Sequence, residues 1–256
     1  MADLRSGFGR LLARHLTRPI ARTTQPATHD AERLAAALRP ADILLVEGNS
    51  RISAAIKYLT QSTWSHAALY VGDALGPPPP GAEPKVLVEA DLLDGVRAVP
   101  LSRHLGLHTR ICRPVGLTDA DRLSVIDFAL SRLGESYDLK NLIDLGRYLL
   151  PTPPLPSHWR RRFIALGSGE PTRAICSTLI AQAFQSVHYP VLPEVAVHPG
   201  DDAASHRYQE ELFHIRHYSL FAPRDFDISP YFAIVKPALE DGFDYKTLRW
   251  DDGSTR

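Results

Sequence analysis

A thiol, an imidazole and a carboxylate, spread over three segments of this chain, have the side-chain chemistry to cleave an acyl bond together. Cys176 opens the run Cys176-Ser177-Thr178-Leu179-Ile180-Ala181-Gln182-Ala183-Phe184. Leu179, Ile180, Ala183 and Phe184 recur there at helical spacing. A cysteine in the first turn of a helix lies at the positive end of the macrodipole, which favours thiolate over thiol. The thiolate is the nucleophile in covalent catalysis. Most lone cysteines are small buried hydrophobes, so Cys176 needs partners before it can be read as reactive.

A base and a group to orient it are the partners required. Of eleven histidines, His66 stands out, a polar residue at the start of the apolar stretch Ala67-Ala68-Leu69-Tyr70-Val71. A side chain there can project from a sheet into a cleft. Glu89 interrupts the β-branched run Val86-Leu87-Val88-Glu89-Ala90, and alternation puts it on the face of Leu87, away from Val88. Side by side on neighbouring strands, the carboxylate would fix the imidazole tautomer. Asp91, on the same nominal face, is the second choice. The bland alternatives are a histidine satisfied by backbone groups and a solvated strand-end carboxylate.

The other cysteine, Cys112, lies in Thr109-Arg110-Ile111-Cys112-Arg113-Pro114, a strand pattern with no helix terminus beside it, and reads as structural. No cofactor or metal site is expected. There is no HExxH pattern, and the sequence identifies no partners for His104 or His108. Asp119, Asp121 and Asp127 lack the glycine and glutamate of a calcium loop.

The elements that must position these residues can be read from periodicity and punctuation. A short helix is expected over Asp30–Leu38 and a buried strand over Asp42–Val46. Ser50 caps a helix running through Ile52, Ile56 and Leu59. A strand spans Trp64–Val71, ended by Gly72-Asp73, and further strands fall at 85–90, 95–99 and 109–114. Gly76-Pro77-Pro78-Pro79-Pro80-Gly81 is a stiff exposed loop. Asp119–Leu133 forms an amphipathic helix whose apolar positions include Leu123, Ile126, Phe128, Leu130 and Leu133, and another helix covers 139–149. Pro151–Pro156 and Arg160–Arg162 mark a loop or lid, and Tyr231–Val235 a closing strand. There is no internal repeat.

Residues 1–28 form an arm in which Arg10, Arg14, Arg18 and Arg22 oppose Leu12, Leu16 and Ile20 on a helical wheel. Such a basic amphipathic helix suits peripheral contact with an anionic membrane. Pro19 limits its length, and a frayed or packed arm is the plain alternative. The domain plan is therefore an arm and short helix over 1–37, a main domain over 38–237 and a polar tail over 238–256.

Bulk properties restrict the rest. The 256 residues carry 29 basic and 29 acidic side chains, 44% hydrophobic content and 23% charge. A neutral balance argues against nucleic acid as a partner, because phosphate neutralisation drives that binding. Two cysteines separated by 63 residues make no disulfide framework, and free thiols suit a reducing compartment. With no apolar run of membrane-spanning length and no secretory core at the N-terminus, the default location is cytoplasmic, with membrane association through the arm.

Five motifs in order strengthen the chemical reading. Pro40-Ala41-Asp42-Ile43-Leu44-Leu45, Ser65-His66-Ala67-Ala68-Leu69-Tyr70-Val71-Gly72, Val88-Glu89-Ala90, Gly134-Glu135-Ser136-Tyr137-Asp138 and Ile175-Cys176-Ser177-Thr178-Leu179-Ile180 together resemble the permuted papain-like cysteine hydrolases. Within these the chain looks closest to the YiiX/YebB-like branch, related to the NlpC-type cysteine peptidases. The resemblance covers about residues 38–237. It implies an α+β fold, an antiparallel sheet or partial barrel packed against helices, with the nucleophile at a helix N-terminus. It also implies Cys176 as nucleophile, His66 as base and Glu89 as its orienting acid. Tyr137, Ser65, Ser177 and Asp42, all inside the matching motifs, are the substrate-binding candidates. Ala41 stands where the family usually has Gly, which should alter only a turn. Thr178 stands where many relatives have Glu.

The expected activity is hydrolysis of an amide, peptide or acyl-amino-acid, through an acyl-enzyme. One alternative is lipid chemistry, an acyltransferase, phospholipase or thioesterase, because the His66 strand also resembles that of the lecithin:retinol acyltransferase group. The Cys176 segment lacks that group's Asn-Cys-Glu-His pattern. A binding scaffold without catalysis is the third reading. The partner expected is a small-molecule, peptide or lipid-like acyl substrate.

Overall fold

The computed structural model describes residues 18, 30–91, 94–135, 175–192, 194–198, 210–214, 221–240, 244 and 246. The arm over 1–28 apart from Arg18, the helix expected at 139–149, the 151–162 loop, Tyr137 and most of the tail lie outside them.

In chain order the elements are α1 (Ala31–Ala37), β1 (Ile43–Val46), α2 (Arg51–Thr60), β2 (His66–Tyr70), β3 (Lys85–Asp91), β4 (Gly95–Pro100), a single 3₁₀ turn (Leu101–His104), β5 (Thr109–Pro114), α3 (Asp119–Ser131), α4 (Ile175–Gln185), β6 (Glu194–His198), β7 (Glu210–His214), α5 (Pro223–Ile228), β8 (Phe232–Val235) and α6 (Pro237–Glu240). Six strands form one sheet in the order β4-β3-β2-β1-β5-β8, and β6 pairs with β7 separately. Every neighbouring pair is antiparallel. The fold is α+β, as expected, and among the described residues β4 and β8 end the main sheet.

β1 sits at the sheet's centre because it is apolar on both sides. Ile43 and Leu45 join Ala67, Leu69 and Cys112 under α3 and α4, which contribute Val125, Ile126, Ala129, Leu179, Ile180, Ala183 and Phe184. Leu44 and Val46 face the other way, joining Ala68, Leu87 and Ile111 with Leu34 and Ala37 of α1. A strand buried on both faces reads as a continuous apolar run. Helix α1, grouped with the arm in the sequence plan, thus supplies part of the second core.

Caps fix the helix starts where expected. Asp30, Ser50 and Thr118 each accept a hydrogen bond from the backbone N–H three residues on, serving a donor the helix itself cannot. Helix α3 differs from the expected face at Leu123, which is exposed, while Ile126 is buried beside Val125 and Ala129 and Phe128, Leu130 and Leu133 pack against the same core. Among the described residues, the 3₁₀ turn, the β6–β7 pair, α5 and α6 had no counterpart in the sequence reading. None of the described helices is long and apolar enough to cross a membrane.

Two tight spots bear on the site. Ala41 adopts φ 70° while wholly buried, a left-handed conformation that suits glycine. The turn it closes carries Asp42 N–H to Arg39 O at 2.9 Å. Gly48, just past β1, donates to Ser65 Oγ at 2.9 Å. A Cβ there would sit 2.3 Å from Ser53 Oγ and 3.0 Å from Ser65 Oγ.

Candidate active site

His66 is the first residue of β2 and lies opposite Val46, the last of β1. Its approach is held rigidly. Trp64 is 2% exposed, and its Nε1–H donates to Asp227 of α5 at 2.9 Å. Asp227 also accepts from Arg110 of β5 at 2.6 Å, whose guanidinium lies over the Trp64 ring at 5.0 Å. Ser65 is buried and accepts the Gly48 N–H. The imidazole therefore leaves a fixed point of the sheet while its side chain stays 23% exposed.

Glu89 comes from β3, the next strand, and is 1% exposed. A buried carboxylate is costly unless its lone pairs are filled, and here they are. Oε2 lies 2.8 Å from His66 Nε2 and 2.9 Å from His104 Nε2. Oε1 accepts from Arg97 Nε at 3.1 Å and Arg97 Nη2 at 3.0 Å. Arg103 Nε adds an ion pair at 3.2 Å. Arg97 reaches across from β4, where it pairs with Glu89 in register, and also holds Asp91 and Asp94. Asp91, the second choice as orienting acid, is thus bound to Arg97.

Burial alone would raise the Glu89 carboxyl, but hydrogen bonds from His104 and His66, with the charge of His66, hold it well below the usual carboxylate range. An ionised carboxylate only accepts, so both facing Nε2 atoms carry hydrogen. His66 then has Nδ1 left for a second partner. That partner is Cys176, which hydrogen-bonds the imidazole. Burial would push His66 down, yet the charge and hydrogen bond of Cys176, and then those of Glu89, raise it to about 10.

Cys176 stands in the first turn of α4 and is 5% exposed. Helix α4 packs against β2 and β3 through Leu179, Ile180, Ala183 and Phe184. That packing delivers its N-terminal turn to the His66 imidazole. The structure thus brings Cys176, His66 and Glu89 into one chain of contacts. Cys112 is wholly buried in the sheet, where burial, with the Asp227 charge, drives its thiol far above the ordinary value.

The other candidates lie apart from that chain. Asp42 precedes β1 and bonds Tyr70 N–H, at the end of β2 opposite His66. Its buried carboxylate receives Arg113 Nη2 at 2.8 Å and Arg39 N–H at 2.8 Å, joining β1 to β5. Ser177 is fully buried and donates to Phe221 O at 2.6 Å, a tie between α4 and the segment before α5. Ser65 neighbours His66 in sequence, with its hydroxyl turned to Gly48.

His104 is the residue sequence reasoning did not place. It lacked a visible partner because the partner, Glu89, lies 15 positions back on another strand. The available signal was Leu101-Ser102-Arg103-His104 directly after a strand that hairpins onto the Glu89 strand. His108, also without an expected partner, meets Glu47 at 3.3 Å, which binds Lys57 at 2.9 Å.

His66, Glu89 and His104 keep one donor atom each within 4.8 Å of one another, a spacing that a metal ion could bridge. The donor set does not fit one. Glu89 Oε1 already faces two guanidinium groups, whose charge opposes a further cation. Hydrogen bonds account for the cluster.

Residues 37–148 match the model of a family described as permuted papain-like amidases, YaeF/YiiX, C92 family. The matched stretch holds His66 and Glu89 and stops before Cys176. No curated protein matches the chain. Among solved structures, a protein described as metalloprotein yiiX from Escherichia coli O157:H7 aligns at 18% identity with a TM-score of 0.45. The alignment covers 78% of this chain and 97% of that one.

Proposed function

We propose that this chain, similar to the permuted papain-like amidases over residues 37–148, is a cysteine-dependent hydrolase that cleaves an amide through an acyl-enzyme. One observation carries the reading: a single imidazole, His66, bonds both the Glu89 carboxylate and the Cys176 thiol.

The steps follow from that contact. Glu89 holds the Nε2–H, so His66 Nδ1 takes the thiol proton and an imidazolium faces a thiolate. Cys176 Sγ attacks the carbonyl carbon, and the C–O π electrons move onto oxygen. The oxyanion is received by backbone N–H groups, that of Cys176 in the first turn of α4 among them. As the C–N bond breaks, Nδ1–H protonates the leaving amine and a thioester remains. Water then gives its proton to neutral Nδ1 and attacks the thioester, releasing the acid and the thiolate.

The test is Cys176→Ala assayed with matched amide, ester and thioester acyl probes. The expected result is loss of turnover on all three with the circular dichroism unchanged, and amide cleavage by the native protein. Full turnover by the variant would remove Cys176 as nucleophile. Turnover of lipid esters alone would move the assignment to acyl-lipid chemistry, and no turnover at all would favour a binding scaffold.

A further inference from the structure

The mechanism uses one of the two histidines on Glu89. The other, His104, is 6% exposed and ends the 3₁₀ turn that leaves β4. Its ring centroid lies 5.6 Å from that of His66, tilted by 39°. Both imidazoles direct Nε2 to the same oxygen, at 2.8 and 2.9 Å. The charged groups around His104 are Glu89 of β3, His66 of β2, Arg103 beside it, and Arg97, which pairs with Glu89 and also holds Asp91 and Asp94.

His104 cannot act as a second base toward Glu89, because a carboxylate accepts and does not donate. Nor does the setting favour an imidazolium. Burial lowers His104, and the charges of His66 and Arg103 oppose a proton there, against the pull of Glu89. A neutral, donating ring is what remains. Its effect falls on Oε2. Arg97 occupies Oε1 with two hydrogen bonds, fixing that end of the carboxylate. Without His104, Oε2 would hold only His66, leaving a lone pair buried and unserved. With it, all four lone-pair positions are filled and the carboxylate plane cannot turn away from His66.

We propose that His104 is a positioning residue: a neutral imidazole that locks Glu89 Oε2 in place and through it aims His66 at Cys176. The inference rests on the reading of Cys176 as nucleophile. It assigns a job to a residue that acts on the nucleophile through Glu89 and His66.

Two variants of the full chain test it. His104→Phe keeps ring volume and removes the donor, whereas His104→Gln places an amide N–H near the position of Nε2. The readout is the rate of Cys176 alkylation by iodoacetamide against pH, with the melting temperature measured alongside. In the native protein Cys176 should alkylate faster at neutral pH than an unassisted thiol. His104→Phe should slow that reaction by about tenfold. His104→Gln should restore most of the native profile. A filler role would lower melting temperature in Phe without moving the profile, so coincident native and Phe profiles overturn the inference alone. So does a Gln variant that behaves as Phe does. A native Cys176 that alkylates only as a free thiol overturns the nucleophile reading and the inference with it.

Discussion

His66 gives its Nε2–H to Glu89 at 2.8 Å, which leaves Nδ1 as the nitrogen for Cys176. The tautomer is thus set by a residue 23 positions away on another strand. Glu89→Gln should uncouple the two. The amide carries a donor where the wild-type oxygen accepts, so the preferred tautomer is lost and kcat should fall by roughly 10²–10⁴-fold. The kcat/KM profile adds a sign. Glu89 is one of the groups that raise His66 to about 10, so a basic limb near that pH should move down in the variant. A basic limb that stays put would mean that another group sets it.

Acid stability follows from the same carboxylate. Its folded value lies below the ordinary 4.5, so the unfolded chain binds the proton more readily. The stabilisation is fully present above the ordinary value and is lost progressively as pH falls below it. Urea midpoints should decline more steeply in the native protein than in Glu89→Gln between about pH 5 and 3. At neutral pH the variant should already be weaker by about 3 kcal/mol, since Arg97 loses its buried partner. Parallel declines in the two proteins would show that other carboxylates dominate.

Much of this arrangement was legible because it is local. The Ser50 cap, the double-faced β1 run and the helix after Cys176 each follow from neighbours in sequence. The pairing of His66 with Glu89 was readable only as a relation between two polar interruptions of apolar strands. His104 was not readable, because its place depends on how a turn folds back over β3. Asp42 and Ser177 show the converse. Both sit in motifs beside chemistry-bearing segments, yet their polar groups tie strands and helices together. A sequence shows that a buried polar group needs a partner, but not which one it finds.

Ala41 carries a test of backbone strain. Its φ of 70° costs an L-residue about 1–2 kcal/mol, while its buried methyl gains about 0.8 kcal/mol in the core. Ala41→Gly should therefore change stability by no more than about 1 kcal/mol. Ala41→Val adds a β-branch to a left-handed residue at 0% exposure, and should cost about 2–4 kcal/mol. Chemical denaturation of the pair settles the matter. Equal stability of the Gly and Val variants would mean that the turn relaxes into another conformation.

Gly48 connects backbone geometry to the site. Its N–H holds Ser65 Oγ, one residue before His66. The space for a side chain is taken by Ser53 Oγ, 2.3 Å from where a Cβ would stand. Ser53 Oγ itself bonds Ser50 Oγ at 2.8 Å, at the start of α2. Gly48→Ala must therefore push Ser53 off the cap or Ser65 off its donor. Either shift costs about 1–2 kcal/mol, but only the second reaches the histidine strand. A double variant, Gly48→Ala with Ser53→Ala, removes the closer Oγ clash and leaves Ser53 Cβ and Ser65 Oγ each 3.0 Å from the new methyl. If the start of β2 is what positions His66, the double variant should regain stability while Cys176 alkylation stays slow. Recovery of both together would place the whole effect at the α2 cap and leave Ser65 without a part in aiming the imidazole.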